Sequence, residues 1–303
     1  MASITNLDLE TLFTTLYVLV DDWYQTKGQA LLAGKAGAKP SFSDSELLTL
    51  LLAHDFVPYP GETQYIAYIR ANHLALFPKL VDQSQYNRRG RNLQQLVEAL
   101  RQSWVSILGG YTCKRLLLDT KPVPVLGYKR SKHHSDFAGR AGYGQCAARN
   151  LQYFGFKLVV LSTCDGLPIV YDLVPANTDE RLAAESVLYR VTDCDIIADK
   201  GFIGTDWQVT IAHETGNCIL TPKRANQSQQ NAPELDALLS SLRERIEGVF
   251  HQLQNSGRNI ERLLTKTLFG LTARITLKVT CLVLKRLLAR DFGFDLQSFS
   301  ISH

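Results

Sequence analysis

Asp195-Ile196-Ile197-Ala198-Asp199-Lys200-Gly201-Phe202 is an apolar, β-branched run that closes on a carboxylate and turns at Gly201. Side chains alternate along a strand, so Asp199 shares a side with Ile197 at a carboxyl end, where open α/β sheets place their ligands. Asp195 lies on that side too, but about 13 Å earlier at strand rise, so the two acids are not interchangeable. One acid at a strand end means little by itself. Two others give it meaning, Asp119 and Glu247.

Working outward, Arg115 to Asp119 is a short apolar run followed by Pro122 and Pro124, which block a helix and favour an extended path. Residues 154–162 and 167–174 are strands joined by Cys164-Asp165-Gly166, a hairpin signal. Thr178 or Asp179 caps a helix through Val187. The Asp199 strand follows, then a helix over 207–213, a strand over 218–221, and a polar loop opening with Pro222-Lys223-Arg224. A long helix over 234–254 carries Leu235, Leu238, Leu239, Leu242, Ile246, Val249 and Leu253 on one face. Hairpin-linked strands followed by strands that need crossovers predict a mixed five-stranded α/β sheet flanked by helices. That order matches the ribonuclease H-like fold. In it the first strand is central and the fourth lies beside it, which brings Asp119 to Asp199. On the long helix Glu247 lies about 100° from the centre of the apolar stripe at Ile246, with Arg243 beside it, while Glu244 points away.

The amino-terminal hundred residues read as helices. Leu9, Leu12, Phe13, Leu16, Val20 and Trp23 form one stripe over 6–24 with Asn6 as cap, and Ser43 with Glu46 has capping-box spacing. Further helices are expected from Thr63 to Asn72 and from about Ser84, the latter bearing Arg88, Arg89 and Arg91. Gly109-Gly110 marks the change of period. The expected organisation is a helical domain at 1–108, an α/β domain at 109–290 ending in amphipathic helix, and a tail at 291–303. Residues 121–149 hold six basic side chains against one acid, Asp136, and read as a basic surface loop.

Composition sets outer limits. The chain has 303 residues, a formal net charge of +4 and 45% hydrophobic residues, which suits an ordinary globular protein. Six cysteines without a CxxC pair read as reduced core residues, not a disulfide or zinc framework. Asp8, Glu10, Asp21 and Asp22 punctuate the first helix, which does not read as a signal peptide. Charges interrupt the apolar stretch 268–288, so no membrane span is expected. His133 and His134 lack a nearby acidic or Cys partner and read as polar loop residues. Trp207 reads as packing, with base stacking the alternative.

Three carboxylates brought together would repel one another unless divalent cations intervene, and an all-oxygen donor set suits Mg²⁺ or Mn²⁺. Two such ions about 3.5–4 Å apart serve phosphoryl transfer on nucleic acids. The segments Leu117-Leu118-Asp119-Thr120-Lys121-Pro122-Val123, Ile197-Ala198-Asp199-Lys200-Gly201-Phe202 and Arg243-Glu244-Arg245-Ile246-Glu247-Gly248-Val249-Phe250 resemble the three acidic motifs of bacterial insertion-sequence transposases of the DDE class. The resemblance covers about 110–285. It implies that Asp119, Asp199 and Glu247 hold two Mg²⁺ ions, with Mn²⁺ able to substitute, and that transposon ends are cut to free 3′ hydroxyls that attack target DNA. Arg243 matches the family's helical motif, whereas Ser240 and Gln254 stand where it often has Tyr and Lys.

The expected partners are double-stranded DNA, as terminal inverted repeats and target, and a second copy of the chain. The expected place is the nucleoid of a prokaryotic cytoplasm. Arg88, Arg89, Arg91, Lys129, Arg130, Lys132, Lys223, Arg224 and Arg243 are the candidate DNA contacts. The alternatives are a metal-dependent nuclease of the same fold and a DNA-binding protein that has lost catalysis.

Overall fold

The computed structural model describes residues 8–32, 40–59, 61–129, 133–146, 150–223, 230–255, 259–260 and 265–294, of which Arg243, Glu244, Gln254 and Asn255 by backbone alone. The chain divides into two compact units. One comprises 1–104, 255–259 and 269–303, and the other 105–254 and 260–268.

The first unit is helical. Helix α1 (Leu9–Trp23) buries the six residues of the expected stripe, each worth about 1.5–3 kcal/mol when fully buried. Its cap is Asp8, not Asn6: the Asp8 carboxylate accepts the Thr11 N–H at 2.7 Å, and that bond holds it below the usual carboxylate range. Helix α2 (Asp44–Ala53) opens on the expected capping box, Ser43 and Glu46 each bonding the other's backbone N–H. Helices α3 (Glu62–Asn72), α4 (Gln83–Asn92) and α5 (Gln94–Ile107) follow. Gly90 sits where α4 meets α2. A Cβ there would stand 2.9 Å from Leu51 Cδ2, so the close approach offsets the helix propensity that glycine costs.

Helix α9 (Leu268–Phe292) departs from expectation. It is not amphipathic: from Phe269 onward it falls in the helical unit by its contacts, and it is buried on nearly every face from Leu271 to Leu288. The cause lies in the charges that interrupt its apolar run. Lys278 Nζ meets Asp55 Oδ1 at 2.6 Å with both side chains 2% exposed, and Lys285 Nζ lies 3.9 Å from Asp55 Oδ2. Burial pushes the Lys285 ammonium down from its usual range, with Asp55 opposing the shift. Arg274 reaches Glu62 at 3.0 Å, and Glu62 also accepts from Asn87 at 2.7 Å. Counter-charges on the α2 and α3 segments let a charged helix be a core helix.

The second unit is a mixed sheet. Its strands are β1 (Arg115–Leu126), β2 (Gly142–Cys146), β3 (Leu151–Thr163), β4 (Pro168–Pro175), β5 (Asp195–Ile197) and β6 (Cys218–Leu220), in the order β2-β3-β1-β5-β6 with β4 also on β3. Strand β3 pairs through 151–155 with β2 and through 156–162 with β4, while β1 takes its other edge. Six strands therefore make a sheet five wide, with the central first strand and the adjacent Asp199 strand of the ribonuclease H-like order. Helices α6 (Glu180–Leu188), α7 (Thr205–Thr215) and α8 (Pro233–Asn255) complete it. On α8, Leu239, Leu242, Ile246, Val249, Phe250 and Leu253 are buried, whereas Leu238 is 45% exposed.

Two features of the sheet differ from the sequence reading. Strand β2 lies in the stretch read as loop, because Gly142 and Gly144 mask it. Strand β1 continues through both prolines. Even-numbered backbone groups of β1 face β5, as the Asp195 N–H donating to the Lys114 carbonyl at 2.7 Å shows. Since β5 ends at Ile197, Pro122 and Pro124 turn their missing N–H towards an unpaired edge and lose no ladder bond. Among the described residues no helix is long and apolar enough to cross a membrane.

Asp55→Asn would leave Lys278 buried without its counter-charge. It is expected to cost about 3–5 kcal/mol of stability in chemical denaturation; an unchanged midpoint would contradict this account of α9.

Candidate active site

The site grows from one ladder. Strands β1 and β5 run parallel with Arg115 beside Asp195, Leu116 beside Ile196 and Leu117 beside Ile197. Two steps further in the same register stand Asp119 and Asp199. The backbone is still extended there: Asp119 pairs with Val160 across β3, and the Ala198 N–H donates to the Leu220 carbonyl at 3.0 Å. Neighbouring strands lie about 4.8 Å apart, so the two carboxylates leave the same side of the sheet from adjacent positions. Both are half-buried.

Each aspartate is anchored by a nearby N–H. Asp119 Oδ1 accepts the Thr120 N–H at 2.7 Å. Asp199 Oδ1 accepts the Gly201 N–H at 2.7 Å and so caps the short turn Lys200–Phe202. A Cβ on residue 201 would stand 2.9 Å from that oxygen, which is why glycine follows here. The other oxygen of Asp199 has no hydrogen-bond partner among the described residues.

A fourth acid, which the sequence reading did not single out, lies behind them, across the sheet. Glu180 opens α6 and accepts the Thr120 hydroxyl at 3.1 Å and the Lys157 ammonium at 2.7 Å; Lys157 also donates to the Thr178 carbonyl at 2.8 Å. Burial, with the Glu180 carboxylate adding to it, pushes the nearby Tyr153 phenol up. In the sequence Glu180 is only an acid in a helix's first turn, a common placement. Its partners are 60 and 23 positions away and become visible only once the sheet is built.

Two contacts locate Glu247. Arg245 Nη1 donates to the Cys164 carbonyl at 3.2 Å, and the Phe250 ring lies 5.8 Å from Lys121 Nζ. Lys121 shares its side of β1 with Asp119, so α8 crosses that side with Glu247 in the intervening turn. Glu247 itself is exposed. Among the described residues no three of His, Cys, Asp and Glu stand together in a metal-holding arrangement. The ladder's register puts Asp119 and Asp199 at neighbouring positions on one side of the sheet, and α8 carries the exposed Glu247 across that side.

Residues 114–284 match the family described as the transposase DDE domain. The chain belongs to that family. No curated protein and no solved structure matches it. The matched span begins just before β1, ends within α9, and holds Asp119, Asp199 and Glu247. Transposases of this family generally use divalent metals, and the donor chemistry fits such an ion: carboxylate oxygens, one of them without a hydrogen-bond partner among the described residues.

The basic residues of this transposase divide by environment. Arg88 is exposed on α4, but Arg89 turns inward to Asp44 at 2.7 Å, and the Nε of Arg91 is buried without a hydrogen-bond partner among the described residues. The three do not form one outward face, because α4 packs that side against α2. Lys129 is exposed and Lys223 half-buried; Arg130, Lys132 and Arg224 lie outside the described residues, as does the side chain of Arg243. His133 and His134 are exposed. Of the six cysteines, all free, only Cys194 and Cys281 are buried, so the expectation of six core thiols holds for two.

Trp207 on α7 is half-buried and donates through Nε1 to Glu185 of α6 at 2.8 Å, as a packing residue would. Trp207→Phe is expected to cost about 1–2 kcal/mol in thermal unfolding, the value of a hydrogen bond to a charged acceptor, and to leave DNA affinity unchanged. A selective loss of affinity for DNA with unpaired bases would restore the stacking role.

Proposed function

We propose that this transposase cleaves the ends of its element and joins the freed 3′ hydroxyls to target DNA by metal-dependent phosphoryl transfer. The observation that carries the reading is the β1–β5 register, which supports Asp119 and Asp199 as a pair of neighbouring carboxylates within the family's span.

Asp119, Asp199 and Glu247 would hold two Mg²⁺ ions, for which Mn²⁺ could substitute. When bound, the ions polarise the scissile phosphate and lower the pKa of the attacking water or hydroxyl. The chain contributes fixed charge and geometry. Backbone N–H groups orient the two aspartates, and Lys121, two residues from Asp119 on the same side of β1, offers a cation to the phosphate backbone. Glu247, exposed on α8, would be the third carboxylate to hold an ion. Arg88, Arg91, Lys129 and Lys223 are the described candidate DNA contacts, joined by Arg130, Lys132, Arg224 and Arg243; Arg89 is paired with Asp44. Cleavage at two ends calls for two copies of the chain on paired inverted repeats, acting at the nucleoid of a prokaryotic cytoplasm.

Purified protein with Mg²⁺ and DNA carrying the element's two ends is expected to yield cut ends and joined products. Asp199→Ala should lower the rate roughly a thousandfold or more, since metal-supplied charge stabilisation amounts to several kcal/mol. Cleavage indifferent to paired ends would indicate a nuclease. DNA binding without divalent-metal affinity would indicate a protein that has lost catalysis.

A further inference from the structure

Both aspartates depend on an N–H that belongs to a neighbouring residue: Thr120 for Asp119 and Gly201 for Asp199. One side chain reaches both places. Glu180 accepts the Thr120 hydroxyl through Oε2 at 3.1 Å. Its Cγ lies 3.8 Å from the position a Cβ on Gly201 would take, so its methylene faces that turn across the space the glycine leaves. Its remaining oxygen, Oε1, is tied to Lys157 at 2.7 Å.

We propose that Glu180 is the positioning residue of the site, a brace at the start of α6 that fixes the two aspartate-bearing segments against each other. The arrangement suits a brace better than a ligand. Both carboxylate oxygens are engaged, and the Lys157 side chain, 13% exposed, neutralises a charge that would otherwise repel Asp119 and Asp199. Thr120 and Lys157 lie on the side of the sheet opposite Asp119, since Pro122 pairs with Lys157 and Thr120 with Val159. Glu180 therefore acts from behind the strand, through backbone and hydroxyl, as outer partners of metal ligands commonly do. It also ties α6 to the middle of β1, beyond the three residues that the parallel ladder pairs.

The inference rests on the transposase reading only for its metal readout; the brace itself is tested without metal. In amide exchange on the metal-free full chain, Glu180→Ala is expected to speed exchange in two peptides at once, 117–121 and 199–204, while α7 keeps its protection. Thr120→Val removes only the hydroxyl contact and should loosen the first peptide alone. Glu180→Gln keeps an acceptor for Thr120 and should restore most of the protection there. In a Mn²⁺ titration, Glu180→Ala should weaken binding about tenfold or more, the usual loss for an outer-shell partner, and Glu180→Gln should recover most of it.

Wild-type exchange in Glu180→Ala overturns the brace, as does loosening of one segment only, or no recovery with Gln. A wild-type chain that takes up no Mn²⁺ while Glu180→Ala still loosens both segments sinks the metal reading and leaves the brace standing.

Discussion

The parallel pairing of β1 with β5 is short, three residue pairs, yet the site depends on it. A slip of one residue would turn every side chain of β5 to the other side of the sheet and carry Asp199 away from Asp119. What prevents the slip is burial. Leu116, Leu117, Ile196 and Ile197 are each at most 2% exposed, so apolar residues on both sides of the sheet fix the offset between the strands. Strand β6 holds β5 from its other edge in the same register, Ile196 beside Ile219. The polar ends of these strands can then be spent on chemistry, because their apolar beginnings have set the alignment.

A second constraint is charge. Two carboxylates side by side raise each other's free energy, and a fold tolerates them when each is hydrogen-bonded and screened. Here each takes a backbone N–H, and the acid behind them is paired with Lys157. Glu247, with no hydrogen-bond partner among the described residues, is exposed. The same rule shapes the helical unit, where Asp55 is buried because Lys278 and Lys285 face it. In both units the acids that go inside are the ones with a donor waiting.

Much of this was legible in the sequence where the signal was local and periodic. The α1 stripe, the Ser43–Glu46 box, the hairpin at Cys164-Asp165-Gly166 and the order of strands and helices all follow from period, cap and turn chemistry. The losses have physical causes. Proline statistics describe the average strand, and β1 escapes them because Pro122 and Pro124 face an edge that its partner has left. Strand β2 is built of Gly-Tyr-Gly-Gln-Cys, whose strand character comes from pairing with β3 and not from its own residues. Arg89 looked like a DNA contact because nothing in its neighbourhood announces Asp44, 45 positions away. The pairing of Asp119 with Asp199 could be inferred because sheet topology transmits it; the side-chain contacts of Glu180 could not, since no periodicity encodes them.

The membership of α9 bears on how the chain can be divided. A cut after residue 104 looks natural, since the sheet unit begins there and the helices before it each have a buried side. But two acids of this stretch find their counter-charges outside it: Asp55 meets Lys278 and Lys285, and Glu62 meets Arg274, all on α9. Without α9 the isolated amino-terminal piece would expose the surfaces facing Leu271 to Leu288 and leave Asp55 without its lysines. An isolated 1–108 fragment would therefore be a poor stand-in for the helical unit, whatever that unit binds. The helical unit can close only after the sheet segment has been synthesised, so its core rests on contacts of more than 200 positions in sequence separation. Such contacts carry a loop-closure cost that the buried ion pair and the apolar faces of α9 must outweigh together.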